Sequence, residues 1–458
     1  MLATGQLGIS HYGSVALVLS VSQVLQTVAA SFGTAAMLQY GALTRAARES
    51  EAHDGLRTGP LISCGISLLA FLAGVLLCFS SRTLWGISGP VLALAMFIAA
   101  LQVLTVAAIG LAEASGHLVS AVRGQLMFPL VTLVGLVVGE GTGIDLNIGT
   151  FLSLTLLAAS MELLTVSRTV PVQLLREMLV FRRPRRQHWG KFALVAREGL
   201  ILQGATITAV ALDPVNRLVI SYQLSLSHVG AYDVIMKFCW GALHFFGAGM
   251  RVLTRAAAVA NGEVSRQARV GGRMLSTPFL AFCSLGVVYV WYVLDNSGYP
   301  REDWALPYAL GVSATWLMLR ASPYFNTLIG CGRLRLVFSA QMFLAVASIV
   351  GTLLLVPLLG LGGAFVGGLI GALVNWRSLA RAFDTDPLRM SVLSGWVRQG
   401  VEDLLGLSGV ALIASGVAGD AEFPVLLGLL VLSTGVAIYC HDNASRLRRL
   451  VASLAVRE

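Results

Sequence analysis

Apolar stretches and arginine-containing gaps alternate along this chain of 458 residues. Thirteen stretches are apolar, and arginine falls almost entirely in every second gap between them. Loops on the cytoplasmic side of a membrane carry an excess of Arg and Lys. The pattern therefore predicts a multi-pass protein of the bacterial cytoplasmic (inner) membrane, with a cytoplasmic C-terminus.

The composition supports a bilayer rather than water as the solvent of the fold. Hydrophobic residues make up 56% of the chain, charged residues 12%, and the mean hydropathy is +0.78. A hydrophobic helix of about 20 residues crosses the hydrocarbon region, so we expect an all-α polytopic membrane protein. The net charge of +9 is then a topological signal and a means of contacting anionic membrane lipids, and it is not an indication of nucleic-acid binding.

The predicted spans and the basic gaps between them define the expected topology. Outward gaps hold only Arg82 and Arg301, whereas the gaps predicted to be cytoplasmic hold nearly all the other arginines. The thirteen predicted spans are 13–37, 60–80, 85–111, 126–139, 148–166, 200–222, 230–250, 276–294, 305–319, 337–357, 362–374, 404–417 and 424–440.

An internal repeat indicates that the chain consists of two similar halves. The segment 7–13, LGISHYG, matches 224–230, LSLSHVG, at an offset of 217 residues, and matches continue further along at an offset of 216. Shared apolar composition is the alternative explanation. An even number of spans per repeat gives halves of the same orientation, so we expect two parallel helical bundles.

The repeat also predicts the domain boundaries. Span 200–222 has no counterpart before Met1, which suggests a fourteen-helix plan whose first helix is missing, through a late start codon or a natural truncation. The expected domains are 1–175, an N-terminal bundle of five spans; 176–197, a basic cytoplasmic linker; 198–390, a C-terminal six-helix bundle; and 391–458, a helix pair with a cytoplasmic tail.

Three short motifs resemble the polysaccharide-biosynthesis or O-antigen flippases, which are part of the multidrug, oligosaccharidyl-lipid and polysaccharide exporter (MOP) superfamily. They are the repeat motif 7–13 that opens a span running to Phe32 and Gly33, the segment 213–217 followed by 227–232, and the segment 359–365. The resemblance covers the chain from Leu7 onward, each motif is loose, and their order and spacing carry the likeness.

This resemblance implies that the chain flips an isoprenoid-pyrophosphate-linked oligosaccharide between leaflets, without being an enzyme and without a cofactor. It also implies that a polysaccharide polymerase and a chain-length regulator are partners of the chain. Three alternatives stay open: a cation-coupled multidrug exporter of the same superfamily, a membrane-embedded enzyme of glycan assembly, and a degenerate, inactive relative. The longest outward gap with acidic and basic residues, 295–304, is short for an enzyme active site.

Charged residues inside spans are costly and usually face a bundle interior or a hydrated cavity. Asp213 and Arg217 lie four residues apart, as do Asp233 and Lys237, so each pair should share one helix face. Arg217 and Lys237 are candidates for binding phosphate or sugar hydroxyls, and either aspartate could carry a coupling proton. Alternatively, each aspartate merely neutralises its own base and nothing binds.

Two further residues complete the predicted substrate cavity. His244 lies about two turns beyond Lys237, where it could line the cavity or be a hydrogen-bonded interior histidine, and Arg251 ends the same span as a cavity residue or an interface anchor. Gln23 is polar within an apolar span and is expected to join helices. The six scattered cysteines show no CxxC pair, so we predict neither a metal site nor a disulfide framework.

Overall fold

Thirteen helices make up almost all of the regular structure in the part of the chain that the structure describes. They include one helix for each of the thirteen predicted spans, in the same order, and the all-α prediction is confirmed. The computed structural model describes residues 7–20, 22–23, 25, 49–80, 83–84, 87–114, 118–142, 147–169, 212–247, 264–300, 303–331, 333–384, 393–419, 421 and 424–434.

The described chain divides into two compact units, Met1–Leu218 and Val219–Glu458, called unit 1 and unit 2 below. The boundary falls inside α6, Leu212–Gln223. Unit 1 contains five further helices: α1, Ile9–Ser20; α2, Glu49–Cys78; α3, Gly89–Ala114; α4, Leu118–Gly141; and α5, Ile148–Thr169.

Helix α3 is the packing centre of unit 1. It lies along both α2 and α5, and α5 also packs against α4. Two strands of two residues each, β1 (Thr83–Leu84) and β2 (Ile87–Ser88), form an antiparallel hairpin between α2 and α3. Asn147 begins α5, because its Oδ1 accepts a hydrogen bond from the Thr150 backbone N–H while its own N–H donates to the Thr150 hydroxyl.

Unit 2 contains the second part of α6 and seven further helices. They are α7, Leu226–Gly247; α8, Val264–Asn296; α9, Ala305–Gly330; α10, Leu334–Leu359; α11, Leu361–Asp384; α12, Leu393–Ala418; and α13, Pro424–Thr434. Helix α9 is central and packs against α7, α8, α11 and α12.

The tightest helix pair of unit 2 is α10 with α11. Gly360, at φ +56°, makes the turn between the two helices. A Cβ built on Gly367 would lie 2.5 Å from the backbone nitrogen of Thr352, and one on Gly371 would lie 2.7 Å from the carbonyl oxygen of Leu344. Glycine at these positions therefore lets two membrane helices approach backbone to backbone.

Membrane-spanning character is clear in both units. Among the described residues, four helices are long and apolar enough to cross a bilayer: Gly89–Ile109, Ile148–Arg168, Leu275–Asn296 and Leu334–Leu359. Five shorter apolar helical segments accompany them. Large apolar side chains are exposed along these helices, as at Leu285 and Leu354, and lipid rather than water can cover such surfaces. The chain is a multi-pass membrane protein.

Candidate functional site

The first predicted charge pair lies on α6 within unit 1. Asp213 is in the first turn of the helix, where an acidic group suits the positive end of the helix dipole. The Nη2 atom of Arg217 lies 3.8 Å from Oδ2 of Asp213, so the predicted four-residue pair forms. Its two side chains are 2% and 17% exposed, respectively. A guanidinium buried to this degree needs more acceptors than one distant carboxylate supplies.

The additional acceptors for Arg217 come from α1 and the residues just after it. Nη1 of Arg217 donates to the Ser20 hydroxyl at 2.5 Å, to Oε1 of Gln23 at 3.1 Å and to the carbonyl oxygen of Ala16 at 3.5 Å. The Ser20 hydroxyl in turn donates to the Ala16 carbonyl at 2.7 Å. We call Arg217, Ser20, Gln23 and Ala16 the guanidinium cluster. Gln23 joins helices here, as its position in an apolar span predicts.

The sequence repeat relates the guanidinium cluster to the charge pair in the second half of the chain. Ala16 and Ser20 occupy the positions that correspond, 217 residues earlier, to Asp233 and Lys237. The sequence places charge at this position in the second half only. In the structure, Arg217 brings a cation to the equivalent position of unit 1 from a different helix.

The second predicted pair lies on α7 in unit 2. Nζ of Lys237 is 2.8 Å from Oδ2 of Asp233, which confirms that the two residues share a helix face. The carboxylate is fully buried, whereas the lysine side chain is 49% exposed. In this pair the anion is therefore buried and the cation is accessible.

The other two predicted cavity residues differ in what the structure shows. His244 is exposed near the end of α7 and its ring stacks on Trp240 at a centroid distance of 5.9 Å. Arg251 lies outside the described residues. Among the described residues, the Asp213 and Arg217 pair lies in unit 1, and the Asp233 and Lys237 pair lies in unit 2 on the same helix as His244.

Sequence reasoning missed one buried polar pair in unit 2. Nε2 of Gln341 on α10 donates to Oδ1 of Asn375 on α11 at 3.4 Å, and both side chains are buried. The two residues are 34 positions apart, and the sequence contains no motif that pairs them. Their location at one end of the close α10 and α11 interface indicates that the pair fixes the register of these helices.

The fold is similar to those of solved membrane transporters. A multidrug resistance MATE family transporter of the MOP superfamily, in its inward-facing conformation, superposes with a TM-score of 0.62 at 16% identity, over 87% of this chain and 92% of that chain. The fold is that of the MOP transporters.

Two other solved structures extend the MOP comparison. The lipid II flippase MurJ in an inward closed conformation gives a TM-score of 0.56 at 12% identity, over 95% of this chain and 96% of that chain. A MOP superfamily transporter from Pyrococcus furiosus, described as having a binding pocket of reverse polarity, gives 0.59 at 14% identity, over 81% and 88%. No family model and no curated protein matches the sequence.

Proposed function

We propose that this chain moves an isoprenoid-pyrophosphate-linked oligosaccharide from the cytoplasmic to the periplasmic leaflet of a bacterial inner membrane, for export of a surface polysaccharide. The observation that carries the proposal is the arrangement of Asp233 and Lys237. A buried carboxylate beside a half-exposed ammonium group offers a positive charge to a ligand, which suits a diphosphate. The similarity of the fold to that of the lipid II flippase MurJ supports a lipid-linked substrate.

Arg217 is the second anion-binding residue in this proposal. In the structure its guanidinium is bound by neutral oxygens of Ser20, Gln23 and Ala16. A guanidinium and a phosphate form a bidentate pair of hydrogen bonds between opposite charges, which adds both energy and geometric specificity. We propose that the substrate diphosphate replaces the neutral acceptors, so that Arg217 exchanges its contact with α1 for a contact with substrate.

The arrangement of the arginines gives the proposed orientation. With the basic gaps on the cytoplasmic side, the C-terminus is cytoplasmic, and the gaps that hold only Arg82 and Arg301 face the periplasm. The expected partners are membrane lipids, a polysaccharide polymerase and a chain-length regulator. None of these steps requires a cofactor.

A cation-coupled multidrug exporter is the alternative function. It is favoured by the match to the MATE transporter, and it would use a carboxylate rather than an amine to meet a cationic drug. The burial of Asp233 beneath Lys237 disfavours that use in the observed state, because the carboxylate is already neutralised and inaccessible.

Complementation tests the proposal directly. A strain lacking its own O-antigen or exopolysaccharide flippase would receive the wild-type chain, Lys237→Arg, Lys237→Met or the control Arg168→Met, which alters an exposed arginine at the end of α5. We expect surface glycan from the wild type, Lys237→Arg and Arg168→Met, and at least a tenfold loss in Lys237→Met. Equal glycan from Lys237→Met and wild type would overturn the role of the ammonium group. Drug resistance without any glycan would favour the exporter.

A further inference from the structure

A second polar cluster lies in unit 2, at the start of α7 and outside the predicted span that follows it. Ser225 caps this helix, since its carbonyl accepts from the Val229 backbone N–H at 3.2 Å and its hydroxyl oxygen accepts from the His228 backbone N–H at 3.5 Å. The cluster contains none of the charged residues assigned to substrate above.

Three side chains of this cluster form a continuous hydrogen-bond chain. Oγ of Ser227 is 2.7 Å from Oγ of Ser225, and Oγ of Ser225 is 2.7 Å from Nδ1 of His228. Both hydroxyls can donate or accept, and an imidazole nitrogen accepts when it carries no proton and donates when it carries one. The direction of the whole chain can therefore reverse without any heavy atom moving.

The connection between α8 and α9 supplies the surroundings of His228. The ring of Tyr299 meets the imidazole edge to face, at a centroid distance of 5.7 Å and an interplanar angle of 85°. Gly298, at φ +72°, allows the turn that places Tyr299 beside His228. The Tyr299 N–H donates to the Leu294 carbonyl at 3.0 Å. The connection is therefore fixed by backbone hydrogen bonds rather than by His228 itself.

Among the described residues of this connection, the Tyr299 ring contacts His228 and the Asp303 carboxylate acts on it through its charge. Burial lowers the pKa of His228, and the negative charge of Asp303 opposes that effect. Burial, and then Asp303, raises the pKa of Tyr299 well above its ordinary value. The Tyr299 hydroxyl is buried and has no hydrogen-bond partner among the described residues, so the phenol stays neutral and Asp303 is the counter-charge available to an imidazolium.

We propose that Ser227, Ser225 and His228 form a proton-binding site in which protonation reverses the hydrogen-bond chain. In the neutral state the Ser225 O–H donates to Nδ1 and the imidazole proton is on Nε2. When a proton binds Nδ1, Nδ1–H donates to the Ser225 oxygen, the Ser225 hydroxyl turns to donate to Ser227, and Asp303 stabilises the positive charge. One proton is gained and no other bond is broken.

The repeat provides a comparison inside the same chain. His11 occupies the position equivalent to His228, and its Nδ1 lies 3.2 Å from the carbonyl oxygen of Leu7. A carbonyl oxygen only accepts, so Nδ1 of His11 carries a proton in either charge state. The two equivalent histidines should therefore be opposite tautomers when neutral, and only the site in unit 2 can reverse its hydrogen bond.

Proton binding at His228 also suggests a role in transport. In the orientation proposed above, this end of α7 faces the periplasm, so His228 could take up the proton that drives substrate release. This use rests on the proposed function, whereas the proton-binding site itself does not.

Nitrogen NMR of histidine-labelled full-length protein in lipid nanodiscs tests the site without any substrate. His228→Gln and His11→Gln identify the two resonances. We expect neutral His228 to carry its proton on Nε2 and neutral His11 on Nδ1, and we expect Asp303→Asn to lower the pH midpoint of His228 while leaving His11 unchanged. Two results would overturn the proposal: a neutral His228 that carries its proton on Nδ1, or a pH midpoint of His228 that is the same in Asp303→Asn as in the wild type.

A transport measurement then separates the site from its use. If complementation in cells grown at different external pH shifts its pH dependence in His228→Gln but not in His11→Gln, the proton site serves translocation. If both variants follow the wild-type profile while the NMR result holds, the site binds protons and the proposed use is wrong.

Discussion

Arg217 donates a hydrogen bond to the hydroxyl of Ser20, which lies 197 residues earlier in the chain. This contact connects α6 to α1 within unit 1 and brings a cation to positions that correspond to the charged pair of unit 2. Among the described residues, the guanidinium has one carboxylate at 3.8 Å and the neutral oxygens of Ser20 and Gln23 nearer to it. The contribution of each of these hydrogen bonds can be measured separately.

Ser20→Ala should destabilise unit 1, because it removes the nearest acceptor of a buried guanidinium. Hydrogen bonds to charged groups contribute about 1.5–3 kcal/mol, so we expect a loss of that order in the free energy of unfolding in detergent. Ser14→Ala is the matched control, since the Ser14 hydroxyl bonds only weakly within α1, to Ser10 at 3.5 Å. Equal losses from both variants would show that the effect of Ser20→Ala does not come from the lost bond to Arg217, since alanine itself favours the helix.

Arg217→Met should cost more stability than Asp213→Asn. Removing the guanidinium leaves Ser20, Gln23 and Asp213 without the cation they share, and losing one member of a buried ion pair costs about 3–5 kcal/mol. Asp213→Asn leaves the three hydrogen bonds to α1 in place. Thermal unfolding of both purified variants tests the order, and a larger loss in Asp213→Asn would mean that the carboxylate, not α1, holds Arg217.

The two charge pairs show what local sequence predicts well. Residues four apart on a helix are neighbours by geometry, so the Asp213 and Arg217 pair and the Asp233 and Lys237 pair follow from spacing alone. The contact between Arg217 and Ser20 does not, because nothing in the sequence states which distant helix supplies the acceptors of a buried base. The same holds for Gln341 and Asn375.

Hydropathy predicts the membrane spans but not where the helices begin and end. Helix α8 starts at Val264, well before the predicted span at 276, and α9 continues to Gly330, well beyond the predicted end at 319. These extensions include polar and charged residues such as Arg320, whose guanidinium lies 5.3 Å from the centre of the Trp316 ring. Hydropathy detects the portion suited to lipid and cannot detect helix that continues past it.

Gly367→Ala should disrupt the close contact of α10 and α11. Its new Cβ would lie 2.5 Å from the backbone nitrogen and 2.8 Å from the hydroxyl oxygen of Thr352, so the helices must separate at a cost of about 1–3 kcal/mol. Gly368→Ala, whose Cβ meets nothing within 4 Å, should be neutral or stabilising by up to about 1 kcal/mol. Thermostability of the two adjacent variants in detergent measures the difference, and equal behaviour would contradict close packing at Gly367.

Lys237→Met should destabilise unit 2 because it leaves the buried carboxylate of Asp233 without its counter-charge. The lysine is half exposed and partly screened by solvent, so we expect a loss of about 1–3 kcal/mol. Asp233→Asn combined with Lys237→Met should restore most of that stability. The double variant therefore separates the two interpretations of the pair.

If the pair only neutralises itself, the double variant should transport as well as the wild type. If Lys237 binds the substrate, the double variant should be stable and still fail to restore surface glycan. Stability from unfolding in detergent and glycan from complementation must be compared at matched expression, so that a poorly inserted protein is not mistaken for an inactive one.

Acidification should destabilise the protein through His228. The folded pKa of this histidine is lowered by burial from 6.5, so below about pH 6.5 the unfolded chain binds a proton that the folded chain resists. Stability attributable to His228 is therefore intact above that pH and declines as the pH falls through it. Asp303→Asn should steepen the decline, because it removes the charge that favours the imidazolium, and His228→Gln should flatten it. Thermal unfolding of the three proteins between about pH 5 and pH 8 measures these slopes, and a wild-type slope that equals the His228→Gln slope would show that another group carries the pH dependence.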